Sequence, residues 1–224
     1  MKKIISILAV LTMILALTAC SGANTAEKDT YTVGICQLVQ HDALDAATKG
    51  FMDALSAEFG DKITFLNENA SNDVQTCTTI INNLVNKKVD LILANATPAL
   101  QAAVNGTATI PVLGTSITEY GTALGIEDFN GTVGGNVSGT SDLAPLDKQA
   151  DMISELFPEA KTVSILFCTS EANSAYQVKN VKSFLEAKGI EVVECGFTDS
   201  NDVTAAASKA AASDVIYIPT DNTA

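Results

Sequence analysis

The stretch Asn136-Val-Ser-Gly-Thr-Ser-Asp142, followed by Leu143-Ala-Pro145, decides how this chain is divided. Before it, short apolar runs alternate with helical patterns; after it, the same alternation starts afresh. The stretch is too polar for a core strand and too short for a flexible linker. It reads as the crossover between two α/β lobes, lying in the cleft that the lobes form.

Working outward, the N-terminal side supplies four strands and their helices. An apolar run at 31–38 is of the buried-strand type. Leu44, Ala47, Phe51, Leu55 and Phe59 recur at spacings of three and four and mark a first helix. Asp42 is placed to cap that helix and Gly60 to end it. A second strand is expected at 63–66. Ser71 or Asn72 is placed to cap a helix that carries Val74, Cys77, Ile81, Leu84 and Val85 on one stripe. A third strand is expected at 89–94, and Pro98 suits the first turn of the helix that follows. A fourth strand at 110–113 runs into Gly114-Thr-Ser116, with a weaker helical patch at 119–124 and a loop at 131–135.

Beyond the crossover the pattern predicts a helix at 148–157 stopped by Pro158, a strand at 162–167, and a helix at 176–187 closed by Gly189. A strand at 190–193, an Ala-rich helix at 203–212 and a strand at 215–218 complete it. Such alternation means parallel sheets with helices on both faces. The fold class is therefore α/β and two-lobed, with lobe 1 at 30–140 and part of lobe 2 at 141–224.

The chain has 224 residues, with 13 Lys and Arg against 26 Asp and Glu and a net charge of −13. No basic cluster exists to meet phosphates, which excludes nucleic acid as a partner. Residues 1–20 are not part of the fold. Lys2-Lys3 precede an apolar segment, and Leu17-Thr-Ala-Cys20 places small residues ahead of a cysteine, the pattern of a signal peptide. Those four residues resemble the lipobox of bacterial lipoproteins, which implies cleavage before Cys20 and lipid attachment to its thiol. Residues 21–29 then form a polar tether, and the protein is extracytoplasmic and held at the cell membrane by lipid. The remaining cysteines, Cys36, Cys77, Cys168 and Cys195, contain no CxxC. Export permits disulfides, but the four fall in or beside apolar patterns and read as free, buried thiols.

In open parallel sheets, ligands bind beyond the carboxyl ends of the strands. The polar residues of this chain gather there: Gln37 and His41 after strand one, Thr97 after three, Thr115 and Ser116 after four, and Asp142 at the crossover. The second half adds Ser170, Glu171 and Asn173, then Asp221 and Asn222. Each loop taken alone reads as helix capping, since Ser, Thr, Asn and Asp are the preferred caps. Five such loops facing one cleft make a binding site. A zwitterion held there has its carboxylate at helix N-termini and hydroxyls and its ammonium at Asp142 or Asp221. Hydrogen bonds to charged groups contribute roughly 1.5–3 kcal/mol each. Three or four, less ordering costs, reach about −8 kcal/mol, a micromolar constant. Tyr120 and Tyr176 are the aromatic candidates for the cleft.

Catalysis finds little support. His41 is the single histidine, it precedes a helix, and no G-x-S-x-G is present. Neither G-x-G-x-x-G nor a P-loop occurs. Asp142, Glu171 and Asp221 read as ammonium or hydroxyl partners and caps rather than as a metal or acid–base set. No cofactor and no metal is implied.

Taken together these residues resemble an extracytoplasmic substrate-binding protein of an ABC transporter, with the type I periplasmic-binding fold, and within it the tryptophan-binding-type group. The matching residues are Val33-Gly-Ile35 with Gln37 and His41, Leu44-Asp45, Gly50-Phe51, Ala96-Thr-Pro98, Pro111-Val112, Gly135-Asn-Val137 with Gly139, Ser141-Asp142 and Pro145. Ser170-Glu171, Asn173-Ser174, Pro219 and Asp221-Asn-Thr223 continue the match. The chain departs from the pattern at Asp42, where proline is usual, and at Thr118-Glu119-Tyr120 in place of Thr-Asp-Pro. The resemblance implies a solute receptor that captures an amino-acid-like ligand, with aromatic amino acids among the candidates, between its lobes and presents it to a permease. A ligand-binding sensor is the alternative reading, and an enzyme on a similar scaffold a weaker one. It also implies a longer chain, in agreement with the strand count: nothing after residue 218 crosses back to lobe 1. Lobe 2 is expected to be incomplete at its C-terminal end, and the 224-residue piece weakly stable on its own.

Overall fold

A computed structural model of the protein describes residues 29–224; the signal peptide, Cys20 and nearly all of the tether lie outside the described residues. The first sheet contains β1 (Tyr31–Gln37), β2 (Ile63–Asn69), β3 (Leu91–Asn95), β4 (Val112–Ile117) and β5 (Val137–Ser141) in the order β2-β1-β3-β4-β5. All four pairings are parallel. Helices α1 (Asp42–Phe59), α2 (Val74–Asn86), α3 (Thr97–Gly106) and α4 (Tyr120–Leu124) join these strands. The second sheet contains β6 (Thr162–Cys168), β7 (Glu191–Phe197) and β8 (Val215–Tyr217) in the order β7-β6-β8, also parallel, with α5 (Leu146–Leu156), α6 (Ala172–Ala187) and α7 (Val203–Ala210).

The alternation of side chains along each strand builds a core on both faces. On β1, Val33 and Ile35 face α1 and pack with Leu93, Phe51, Met52 and Leu55. Cys36 and Leu38 face the other way, into a cluster with Ile80, Ile81, Leu84 and Leu100 of α2 and α3. The second sheet repeats the plan. Val163, Ile165 and Phe167 meet α5 and α6, while Leu166, Cys168, Cys195 and Phe197 meet α7.

Several details correct the sequence reading. Lobe 1 has five strands rather than four, because Val137–Ser141 is itself a strand. It is an exposed edge, which is why polar residues suit it. The crossover proper is reduced to residues 142–145. Gly139 holds a φ of 150° there, and a Cβ would lie 2.2 Å from the Gly114 carbonyl oxygen. Glycine is therefore what lets β5 pair with β4 at this point. The caps also move by one or two residues. His41, not Asp42, caps α1 by accepting the Ala43 N–H on Nδ1 at 3.2 Å. Asp73, rather than Ser71 or Asn72, caps α2 by accepting the Thr76 N–H at 2.6 Å. Those hydrogen bonds hold the Asp73 carboxyl below its ordinary range. Ser71 and Asn72 instead take up left-handed backbone at φ of 53° and 63°. Gly60 ends α1 and Pro98 lies in the first turn of α3, as expected. The four cysteines are buried thiols. No helix among the described residues is long and apolar enough to cross a membrane.

Candidate functional site

The carboxyl edges of the two sheets face each other. Asn72, in the turn after β2, donates its Nδ2 at 3.0 Å to the Thr223 hydroxyl beyond β8. That turn is fixed to the first sheet, since the N–H groups of Ala70 and Asn72 reach the carbonyls of Gln37 and Leu38, each at 2.8 Å. Helices α4 and α6 make a second contact between the lobes. Along it lies a groove of about 580 Å³ lined by Glu119, Gly121, Phe129 and Tyr176.

On the lobe 1 edge, backbone strain is concentrated where β3 and β4 end. Ala96 has φ 86° and Ser116 φ 56°, both unusual for residues bearing a Cβ. The Ala96 N–H bonds the Thr115 carbonyl at 3.0 Å, which locks the two loops together. Helix α3 begins immediately afterwards with no side-chain cap, so the amides of its first turn keep their donor capacity. Thr97 is 2% exposed. The hydroxyls of Thr97, Thr115 and Ser116 are not engaged by hydrogen bonds among the described residues, although their backbones are fixed. Asp142 follows β5, its N–H on the Ile117 carbonyl at 3.0 Å. Desolvation beside Tyr120 pushes the Asp142 carboxyl above its usual range, against hydrogen bonds from its own backbone N–H and from Thr118.

The lobe 2 edge is arranged differently. Glu171 is 5% exposed, and its Oε2 accepts Asn222 N at 3.1 Å and Asn222 Nδ2 at 2.6 Å. Its Oε1 accepts the Thr223 hydroxyl at 2.8 Å. Asp221 accepts Cys168 N and the Ser174 hydroxyl, each at 2.7 Å, and the N–H groups of Thr223 and Ala224 at 2.9 and 2.8 Å. Asn173 donates to Glu171 at 3.1 Å and to the Thr220 carbonyl at 3.2 Å. Its buried Oδ1 has no partner.

The structure thus sorts the expected site residues. Thr97, Thr115, Ser116 and Asp142 stand together on one edge with polar capacity to spare. Glu171, Asn173, Asp221 and Asn222 gather on the facing edge but are engaged with one another and with the backbone. Ser170 lies against Cys168 Sγ at 3.0 Å and the Thr198 carbonyl at 3.3 Å. His41 is occupied as a cap. Gln37 is 4% exposed and sits inside lobe 1, donating to Val39 O at 2.8 Å and Asp45 at 2.6 Å and accepting the Thr48 hydroxyl at 2.7 Å. Tyr120 is also interior: its hydroxyl lies 3.1 Å from the Gly114 carbonyl and 3.2 Å from that of Thr140. Burial, with the Asp142 charge, raises its phenol to about 12. Tyr176 is half-buried and lines the groove. Two features escape the sequence: the strain at Ala96, invisible in a residue type that rarely shows it, and the Asn72–Thr223 bridge, whose partners lie 151 positions apart. Among the described residues no cluster of His, Cys, Asp or Glu suits a metal ion.

Comparison with known proteins agrees with this architecture. A "Tyrosine-binding protein" of Clostridioides difficile (strain R20291) is 39% identical over 236 residues, covering 99% of this chain and 68% of that protein. The structure of a domain from Streptococcus pneumonia in complex with L-Trp is 31% identical and superposes with a TM-score of 0.81, over 87% of this chain and 66% of that one. The ligand-free, open structure of a substrate binding protein with adhesive properties from Clostridium difficile is 41% identical, yet superposes at 0.61, over 86% and 66% of the two chains. The chain spans about two thirds of the length of these relatives. Residues 32–224 match the family described as ABC transporter substrate binding protein, and the chain belongs to that family.

Proposed function

We propose that this protein is the solute receptor of an ABC importer, taking an amino-acid-like ligand between its lobes and presenting it to the permease. The observation that carries the reading is the lobe 1 edge: three uncommitted hydroxyls, an uncapped helix and a carboxylate converge beside a facing lobe. The first turn of α3 with Thr97, Thr115 and Ser116 suits the ligand carboxylate, and Asp142 suits its ammonium. The facing edge contributes Asn173 and the groove with Tyr176, the latter matching an aromatic side chain. Similarity to a tyrosine-binding protein and to a tryptophan complex supports that ligand class.

The lobes divide at the crossover 142–145, just after the expected boundary of 140/141, and the mature protein is a lipoprotein: the signal peptide ends before Cys20, whose lipid holds the domain at the outer face of the cell membrane. Binding without turnover is its chemistry. Native mass spectrometry of the protein released from its own membranes, titrated with L-tyrosine and L-tryptophan, checks this. The expected result is a one-to-one adduct with the amino acid unchanged. No adduct with any L-amino acid, or conversion to a product, overturns the reading. The anchor is checked separately: Cys20→Ala is expected to leave the membrane fraction, and retention after a salt wash counts against it.

A further inference from the structure

We infer that Asn72 and Thr223 form a polar latch between the lobes, a positioning pair that acts on how long the closed cleft holds its ligand rather than on contacts to it. The inference rests on the receptor function proposed above. The chain passes between the lobes at 142–145, directly after β5, which is one edge of the first sheet. The Asn72 turn follows β2, the opposite edge, and the N–H groups of Ala70 and Asn72 fold it over the end of β1. Three to four strand spacings, roughly 14–19 Å, therefore separate the latch from the crossover edge. At that radius a hinge rotation of about 15° parts the two side chains by about 4 Å or more, beyond hydrogen-bonding reach. Helix α4, which makes the other contact between the lobes, follows β4 beside the crossover edge. The latch is thus made when the lobes are together and is the first contact to break when they part.

Each half of the latch is prepared by its own lobe. The Thr223 hydroxyl donates to Glu171 Oε1 at 2.8 Å, so it offers lobe 1 lone pairs and no proton. Glu171 is itself buried and accepts from Asn222 and Asn173 on its other oxygen. Thr223 N is fixed to Asp221 at 2.9 Å. Lobe 1 must answer with a donor, and the Asn72 amide supplies one at 3.0 Å. Ser71 and Asn72 both hold left-handed backbone to present it, a conformation that Asn tolerates better than most residues. Ser71 N is tied to Asn69 Oδ1 at 2.8 Å, which steadies the turn. Asn72 is exposed and Thr223 half-buried, so the bond is a modest one. Because it exists in the closed arrangement alone, its whole contribution shifts the balance toward closure.

The test is Asn72→Asp in the full-length protein released from its membranes. The substitution keeps the side-chain shape and suits the left-handed backbone. It replaces the donor with a carboxylate that faces the lone pairs of Thr223 and the charge of Glu171. Dissociation of isotope-labelled L-tyrosine or L-tryptophan, followed by chase, is expected to be about five- to tenfold faster. Association and melting should be unchanged, a split that a merely structural role would not produce. Thr223→Val removes the acceptor and should also speed dissociation, whereas Thr223→Ser keeps the hydroxyl and should hold the parent rate. Thr223→Val decides the matter if Asn72→Asp fails to fold. Parental dissociation rates in the folded variants overturn the inference. Small-angle scattering without ligand is expected to give Asn72→Asp a larger radius of gyration than the parent. If the parent binds neither amino acid, the receptor reading fails, and equal radii then overturn the latch as well.

Discussion

The two lobes are built on one plan and use their polar residues in opposite ways. In lobe 1 the strands β1, β3 and β4 end in backbone fixed by backbone, which leaves the hydroxyls of Thr97, Thr115 and Ser116 uncommitted. In lobe 2 the corresponding edge is fastened by side chains: Glu171 and Asp221 each hold the segment 221–224 through several hydrogen bonds. The apolar packing differs as well. β8 has three residues against five to seven in β1 to β5, and Ile216 within it and Ile218 just after it are 43% and 51% exposed. Lobe 1 therefore leaves hydroxyls unengaged on a fixed frame, whereas lobe 2 spends its carboxylates on its own edge. Asp221 beyond its strand is a brace, and Asp142 beyond β5 is proposed as a ligand group; the composition of the loop does not distinguish the two roles.

The largest effect expected from this contrast is at Asp221. Asp221→Ala removes the acceptor of four hydrogen bonds and leaves Cys168 N and the Ser174 hydroxyl unpaired, at a cost of about 3 kcal/mol or more. Urea unfolding checks it, and a variant within about 0.5 kcal/mol of the parent removes the bracing role.

Gly139→Ala is the next test, and addresses lobe 1. The added methyl meets backbone at 2.2 Å, so β5 is expected to detach at a cost of roughly 2 kcal/mol. Hydrogen exchange at β5 should rise while β7 and β8 remain unchanged.

Asp142 bears on both stability and binding. Partial desolvation raises its carboxyl in the folded state, although the side chain keeps contact with solvent. Ionisation therefore opposes folding: the contribution is present below the unfolded value and lost as pH rises through the higher folded value. Asp142→Asn, neutral throughout, is expected to leave melting at neutral pH equal to or slightly above the parent. Ligand affinity moves the other way, weakening about tenfold, or about 1.4 kcal/mol. The parent's affinity should fall as pH drops through the raised carboxyl value, and the variant's should be flat. An equal pH dependence in both proteins breaks the assignment.

The smallest effect is expected at Thr97. Thr97→Val keeps the shape and removes the hydroxyl, so affinity should weaken by about 1 kcal/mol with unchanged melting. Lost stability instead of lost affinity places Thr97 with the braces of lobe 2.

Much of the frame was legible because buried parallel strands write themselves as apolar runs. The segments containing β1, β3, β6 and β8 stood out for that reason, and Gly60 and Pro98 punctuated the helices by their backbone requirements. β5 was missed because an edge strand with its outer face in solvent has no reason to be apolar. Tyr120 was misplaced because a hydroxyl satisfied by two buried carbonyls looks, in sequence, like one that faces a cleft. Gln37 was drawn into the site by its position after β1, yet its amide is consumed by Asp45 and Thr48 underneath. Position beyond a strand was readable from the chain; which hydrogen bonds were already taken depended on residues up to 53 positions away.

The most direct measurement of the account is backbone hydrogen exchange on the natively purified protein with and without L-tyrosine. Slowed exchange is expected at Thr97, Ala99 and residues 115–118 on adding the ligand, with smaller changes at Thr220, Asn222 and Thr223, where the amides are already bonded. Protection confined to lobe 2 would contradict it.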